Sequence, residues 1–303
     1  MSATRGGTVA AVDCGTNTIK LLIGELPEIA VRESRLVRLG QGVDVSGRLH
    51  PDALARTFAA IDEYAALIAA HPVDRIRFCA TSATRDAANA AEFATGVRER
   101  LGVEPDVLSG AEEAELSFGG AVRHLSGPVA APVLVVDIGG GSTELVLGDR
   151  APVAGRSLDV GSVRMTERHL LADPPTHAQV SACVADIDAA LETCPVDLPA
   201  ARTVVGVAGT VLTLAAAVLD LPFLDEERID QARLPVAALA EVTERLLAES
   251  VAERRTRPYL HPLRADVIAA GALILDRVLR RTTVEELVVS RADILDGIAW
   301  SIA

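Results

Sequence analysis

Aromatic residues make up only 3% of the 303-residue chain, although half of it is apolar. A core without rings has to be aliphatic, built from Ala, Val, Leu and Ile, and this much apolar sequence excludes a disordered chain. Lysine is nearly missing as well. Lys20 is the only one, so 28 of the 29 Lys and Arg residues are arginine. A Walker A loop needs Gly-Lys-Ser/Thr, and Lys20 follows Ile19, which excludes the standard P-loop. The four cysteines (Cys14, Cys79, Cys183, Cys194) are scattered and form no C-x-x-C. They offer neither zinc-ligand spacing nor a dense disulfide frame, and fit a reducing compartment. The six histidines show no metal spacing either. Met1–Thr8 lacks a basic stretch followed by an apolar one, so no signal peptide is expected. Thr203–Leu219 is uncharged, but it sits at the lower limit for a membrane span and Gly206 and Gly209 interrupt it. A buried strand, a glycine turn and a helix account for it better. The expectation is a soluble, cytoplasmic protein.

Basic charge is in deficit, with 42 acids against 29 bases and a net charge of −13. That disfavours wholesale binding to nucleic acid or to an anionic membrane, and leaves room only for a local basic pocket. The length suits two domains. Hydropathy patterning predicts strands over 8–13, 19–25 and 30–39, a helix from Pro51 to about 70 and a strand over 75–80. A helix over 86–101, a short strand near 107 and a helix over 109–124 follow. Leu125-Ser-Gly-Pro128 reads as a linker. Beyond it, strands are predicted over 133–137, 143–148 and 154–160, and helices over 163–171 and 176–191. The strand–turn–helix of 203–219, helices near 234–249 and 262–280, a strand over 284–290 and a helix from Ile294 complete the chain. Strands and helices mixed in this way mean α/β layers.

The opening pattern returns after the linker. Val12-Asp-Cys-Gly-Thr-Asn-Thr-Ile-Lys-Leu-Leu-Ile-Gly24 aligns without gaps on Val136-Asp-Ile-Gly-Gly-Gly-Ser-Thr-Glu-Leu-Val-Leu-Gly148, with five of thirteen positions identical. Asp13 and Asp137 are equivalent and 124 residues apart. A duplicated fold is expected, with domains at 1–125 and 126–303 and a cleft between them.

A dinucleotide-binding loop needs a helix after its glycines. Thr143-Glu-Leu-Val-Leu instead alternates from a β-branched start, which predicts a hairpin. In a Gly-Gly-Gly-Ser hairpin, backbone N–H groups can converge on phosphate oxygens, and Ser142 and Thr143 add hydroxyl donors. The alternative is a glycine-rich turn that only reverses the chain; two copies with matched aspartates favour the phosphate site.

Five motifs occur in order: Asp13-Cys-Gly-Thr-Asn-Thr18, Thr81-Ser-Ala-Thr-Arg85-Asp-Ala, Ser109-Gly-Ala-Glu-Glu113-Ala, Asp137-Ile-Gly-Gly-Gly-Ser-Thr-Glu144 and Gly206-Val-Ala-Gly-Thr210. Together they resemble the exopolyphosphatase/guanosine pentaphosphate phosphatase family of the actin-like phosphotransferase superfamily. The resemblance covers nearly the whole chain and is nearest to short actinobacterial members. The extra C-terminal helical domains of long members are expected to be absent. It implies an α/β fold of duplicated actin-like (ribonuclease H-like) domains with an interdomain cleft. It also implies a phosphohydrolase dependent on Mg²⁺, with Mn²⁺ as a substitute, and a homodimer.

Hydrolysis of a terminal phosphoanhydride needs donors for the phosphate oxygens, a cation to neutralise them and a base to orient water. Asp137 and Glu144 flank the glycine turn and suit Mg²⁺, which takes one or two carboxylates plus substrate oxygens. The resemblance puts metal and phosphate there too; otherwise Asp137 caps a turn and Glu144 is a solvated strand residue. The family's catalytic glutamate matches Glu113. Local physics agrees, because Ser109-x-x-Glu112 is a capping box that occupies Glu112. Glu113 as a first-turn acid favoured by the helix dipole is the plainer reading, and Glu115 is a further candidate.

Phosphate contacts are expected from Asp13, Gly15, Thr16, Asn17 and Thr18 in the first hairpin and from Gly139, Gly140, Gly141, Ser142 and Thr143 in the second. Gly209 and Thr210, between a strand and a helix N-terminus, form a third contact, although in actin-like ATPases the comparable element meets adenosine. The Arg85 guanidinium suits phosphate by its planar fork and the resemblance supports that role; the alternative is a salt bridge with Asp86 or a neighbour. Lys20 aligns with Glu144 and is either a positive charge near the cleft or a solvated strand residue. Arg254–Arg257 and Arg280-Arg281 are either a secondary polyanion track or solvated faces. Arg291 stands where long members carry an acid, which puts any role of that loop in doubt.

The leading expectation is release of terminal orthophosphate from inorganic polyphosphate, with short chains favoured because a charge of −13 opposes a long polyanion. Guanosine pentaphosphate is the alternative substrate. A kinase on this fold would need an acceptor pocket that nothing in the sequence marks. A non-catalytic sensor would not need Glu113, Asp137 and Glu144 together. No nucleic-acid or membrane partner is expected.

Overall fold

The computed structural model describes residues 7–127 and 129–303. Residues 1–6, where no signal peptide is expected, and Pro128 of the expected linker lie outside the described residues. The chain divides into two compact units. One holds residues 7–120 together with Ile294–Ala303, the other Ala121–Asp293.

In the first unit, β1 (Val9–Cys14), β2 (Thr18–Glu25), β3 (Glu28–Leu36), β4 (Arg75–Ala80) and β5 (Asp106–Val107) form one sheet in the order β3-β2-β1-β4-β5. Strands β1, β2 and β3 are antiparallel neighbours, while β4 and β5 join parallel to β1. Every residue of β1 is buried because helices cover both faces, so the strand reads as a continuous apolar run ending in Asp13 and Cys14. On one face Ala10, Val12 and Cys14 meet Leu54, Ile61 and Tyr64 of the helix Pro51–Ala69, with Phe78, Phe93 and Val97. On the other face Val9 and Ala11 meet Ile294, Leu295, Ile298 and Ala299 of the closing helix Ile294–Trp300.

The second unit repeats the plan. Its strands are β6 (Val133–Ile138), β7 (Thr143–Gly148), β8 (Pro152–Leu158), β9 (Thr203–Val207), β10 (Arg233–Pro235) and β11 (Glu286–Val289), in the order β10-β11-β9-β6-β7-β8. Leaving aside the added edge strand β10, the second sheet has the same order and strand directions as the first. This is the duplicated fold expected from the repeat. Its core joins Leu134, Val136 and Leu145 of the sheet to Val211, Leu214 and Ala215 and to Ile268, Leu275 and Val278.

Two expectations differ in detail. The helix predicted over 86–101 begins only at Ala90, and a separate short helix, Ser82–Arg85, precedes it. The Asn89 side chain accepts from the Leu49 amide at 2.8 Å and donates to its carbonyl, anchoring the chain outside a helix there. The single division at 125/126 placed the C-terminus in the second domain, whereas residues 294–303 complete the first unit by covering its sheet. Thr203–Leu219 is β9 followed by the helix Ala208–Val218. Among the described residues, no helix is long and apolar enough to cross a membrane.

Candidate active site

Each unit opens on the same turn. Gly15 N–H donates to the Thr18 carbonyl at 2.9 Å, and at the equivalent positions Gly139 N–H donates to the Ser142 carbonyl at 3.0 Å. The segment after the third strand of each unit braces the turn. Val37 and Arg38 amides donate to the Asn17 carbonyl at 3.0 Å; Val163 and Arg164 amides donate to the Gly140 carbonyl at 2.8 and 3.1 Å. Arg164 Nε adds a bond to the Gly141 carbonyl at 2.7 Å. Gly161 has to be glycine, since a Cβ there would run into the Gly140–Gly141 backbone. The turns are therefore fixed in shape by backbone and arginine, a precondition for aiming their amides at an anion.

In the first unit, Thr16 Oγ1 and Ser82 Oγ lie 2.9 Å apart, both buried, tying the hairpin to the turn that carries Arg85. Asn17 Oδ1 is buried with no hydrogen-bond partner in the protein. Arg85 Nη1 donates both to the Leu108 carbonyl at 2.8 Å and to Glu113 Oε2 at 3.1 Å. Arg85 thus forms a salt bridge with Glu113, 28 residues on in the chain. Ser109 makes the capping box: Glu112 Oε2 accepts from the Ser109 amide at 2.9 Å and its hydroxyl at 2.7 Å, and Ser109 Oγ accepts from the Glu112 amide. Those bonds, the backbone one first, hold the Glu112 carboxyl below the usual range. Glu113 is 6% exposed. The helix start thus divides two adjacent acids between two environments.

In the second unit, Asp137 and Glu144 are direct cross-strand partners on β6 and β7, and both are buried. Ser157 Oγ donates to Glu144 Oε1 at 2.7 Å. Glu144 is thus a buried strand residue, not a solvated one. Like charges placed opposite one another in a sheet destabilise it, and burial raises the cost. Two buried carboxylates on one face are a hard-oxygen donor set that fits Mg²⁺ or Mn²⁺, with remaining positions left to substrate and water oxygens. Among the described residues no three His, Cys, Asp or Glu converge as a ready-made metal cage.

Two expected hydroxyl donors are engaged by backbone. Thr143 Oγ1 donates to the Val160 carbonyl at 2.6 Å and Thr210 Oγ1 to the Ile138 carbonyl at 3.3 Å. The second bond ties the Gly209-Thr210 element to the hairpin. Ala208, just before it, has φ +65, a left-handed value that costs a non-glycine residue about 1–3 kcal/mol. A Cβ on Gly209 would collide with the Arg264 guanidinium. Burial pushes Arg264 down to about 10. Arg264 and Arg164 were not singled out from sequence: neither lies in a motif, and only the fold brings them to residues 209 and 141. The Arg254–Arg257 and Arg280-Arg281 clusters are engaged within the protein. Arg254 donates to the Ala265 carbonyl, Arg257 pairs with Glu249, Arg280 with Asp276 and Arg281 with Asp188. Arg291 faces Asp230. Lys20 Nζ lies 3.6 Å from Asp13 Oδ2.

Two copies of one α/β plan, each opening on a braced glycine turn beside a buried aspartate, define a duplicated α/β protein. The Ppx/GppA phosphatase family model matches residues 20–303, and the chain belongs to that family. It is 46% identical, over 97% of its length and 98% of the relative's, to exopolyphosphatase 2 of Mycobacterium tuberculosis. The crystal structure of an exopolyphosphatase-like protein superposes with a TM-score of 0.95 at 43% identity, covering 97% of this chain and 98% of that one. A Ppx/GppA enzyme of Aquifex aeolicus gives 0.80 at 30% identity, covering 97% and 99%.

Proposed function

We propose that this chain is an exopolyphosphatase, hydrolysing the terminal phosphoanhydride of inorganic polyphosphate. Water attacks the terminal phosphorus, the bond to the bridging oxygen breaks, and orthophosphate leaves. The observation that carries the reading is the buried Glu113 carboxylate, held by Arg85 while its neighbour Glu112 serves the helix cap. An anion fixed by a guanidinium at a helix N-terminus is suited to orient the attacking water more than to take its proton early. Asp137 and Glu144 would hold Mg²⁺, or Mn²⁺ in its place. The ion would supply positive charge to the phosphate oxygens. In the first unit the turn amides of Gly15–Thr18 and Arg85, and in the second those of Gly139–Ser142 and Gly209, would donate to phosphate oxygens, while Thr143 and Thr210 hold the second turn in shape through their bonds to carbonyls. The exopolyphosphatase name of the mycobacterial relative supports the substrate class. Short chains are favoured, because both basic clusters that could have served as a distant polyanion track are engaged by acids or backbone within the protein.

The test is Mg²⁺-dependent phosphate release from short polyphosphate, long polyphosphate and guanosine pentaphosphate, by the wild type and by Glu113→Gln. Fastest release from short polyphosphate, collapsing in the variant, is the expected result. Preference for guanosine pentaphosphate overturns the substrate; binding of all three without cleavage overturns the enzyme.

A further inference from the structure

The two hairpins share register and turn but differ in charge at one position. In the first, Asp13 faces Lys20 across β1 and β2; in the second, Asp137 faces Glu144 across β6 and β7. The turn bond falls at equivalent residues in both, so residues 20 and 144 project from equivalent places. Lys20 Nζ approaches Asp13 Oδ2 at 3.6 Å, with both side chains largely buried. Lys20 is also the only lysine in a chain that meets every other need for a basic side chain with arginine. An ammonium is a compact point charge on a flexible stem, whereas a guanidinium is a broad planar fork. The residue at this position has the size and charge of a small cation.

We infer that Lys20 is the built-in cation of the first hairpin: it stands where a divalent ion would bind Asp13, and so confines metal binding to the Asp137/Glu144 hairpin. In the first unit the aspartate meets positive charge that is covalently part of the chain. An ammonium gives Asp13 one charge and offers no ligand atom, so Mg²⁺ cannot displace it without burying an uncompensated lysine. The first hairpin is then ready to receive anionic phosphate at any metal concentration. The inference rests on the proposed metal site at Asp137 and Glu144.

Counting bound Mn²⁺ by electron paramagnetic resonance titration tests it without reference to turnover. Wild type is expected to bind one Mn²⁺ per chain and Lys20→Glu, which copies the second hairpin's pair, two. Lys20→Glu with Asp13→Asn should return to one. A count of one for folded Lys20→Glu overturns the inference. If wild type binds none and Lys20→Glu binds one, the metal assignment at Asp137/Glu144 fails while the role of Lys20 stands. Should Lys20→Glu not fold, Lys20→Met supplies the second test by thermal unfolding in EDTA. Its Tm should fall, and adding Asp13→Asn should restore it. Additive effects of the two substitutions would mean that Asp13 does not depend on Lys20, and would overturn the inference.

Discussion

Glu112 and Glu113 differ in what a single hydroxyl does for one of them. Ser109 accepts from the Glu112 amide and donates to its carboxylate, leaving the next acid on the buried side with Arg85. Because capping is local chemistry, the sequence suffices to separate the two residues. It does not suffice for Arg85, whose partner lies 28 positions away across a strand and a helix. Nor does residue type reveal that Thr143 and Thr210 donate to carbonyls, because that competition is settled by packing. Glu113→Gln keeps the volume and removes the charge, so kcat for phosphate release should drop about 10²–10⁴-fold with an unchanged far-ultraviolet circular dichroism spectrum. A loss of less than tenfold would move the catalytic role elsewhere, with Glu115 the next residue to test.

Among the elements, hairpins and caps were the most legible, because their signals sit within a few residues. The Ser109 cap opens the helix Gly110–His124, and Ser109→Ala should cost about 1 kcal/mol, read as a lower midpoint in urea at unchanged m. Because the same cap sets the helix start that carries Glu113, kcat should fall too, though by less than in Glu113→Gln. The late start of the helix at Ala90 was not legible, because the Asn89–Leu49 contact that holds the chain out of it spans 40 residues. Strand β10 was hidden for the same reason. Three residues beside an amphipathic helix carry no strand signal until β11 offers them an edge.

On the scale of the molecule, the closing helix is the least expected arrangement. It follows the second unit in sequence and packs on the first unit's sheet, close enough that a Cβ on Gly297 would strike the Leu116 carbonyl. Gly297→Ala should therefore destabilise the protein by about 1–3 kcal/mol, measured by chemical denaturation. Acid stability reports a second tertiary feature. Arg277, against the cost of partial burial and with help from Arg281, holds the Asp188 carboxyl below the usual carboxylate range. A depressed carboxyl adds stability that is fully present above its unfolded value of about 3.9 and is lost as pH falls through the lower folded value. Asp188→Asn should thus lower Tm at neutral pH, and the gap to wild type should narrow as the pH is taken well below the ordinary carboxylate range. A gap that persists undiminished there would locate the stabilisation outside the ion pair.

By itself, the sequence determined the α/β class, the duplication, the two hairpins and the separation of Glu112 from Glu113. Each of these is written in periodicity or in spacings of a few residues, where chain geometry leaves little choice. Tertiary structure alone decided that Glu144 is buried opposite Asp137, that Lys20 faces Asp13, that Arg85 holds Glu113, that Arg264 reaches Gly209, and that the last helix completes the first unit. Those are contacts between distant segments. Their energies depend on burial and on which charges are brought face to face, and neither exists until the chain has folded.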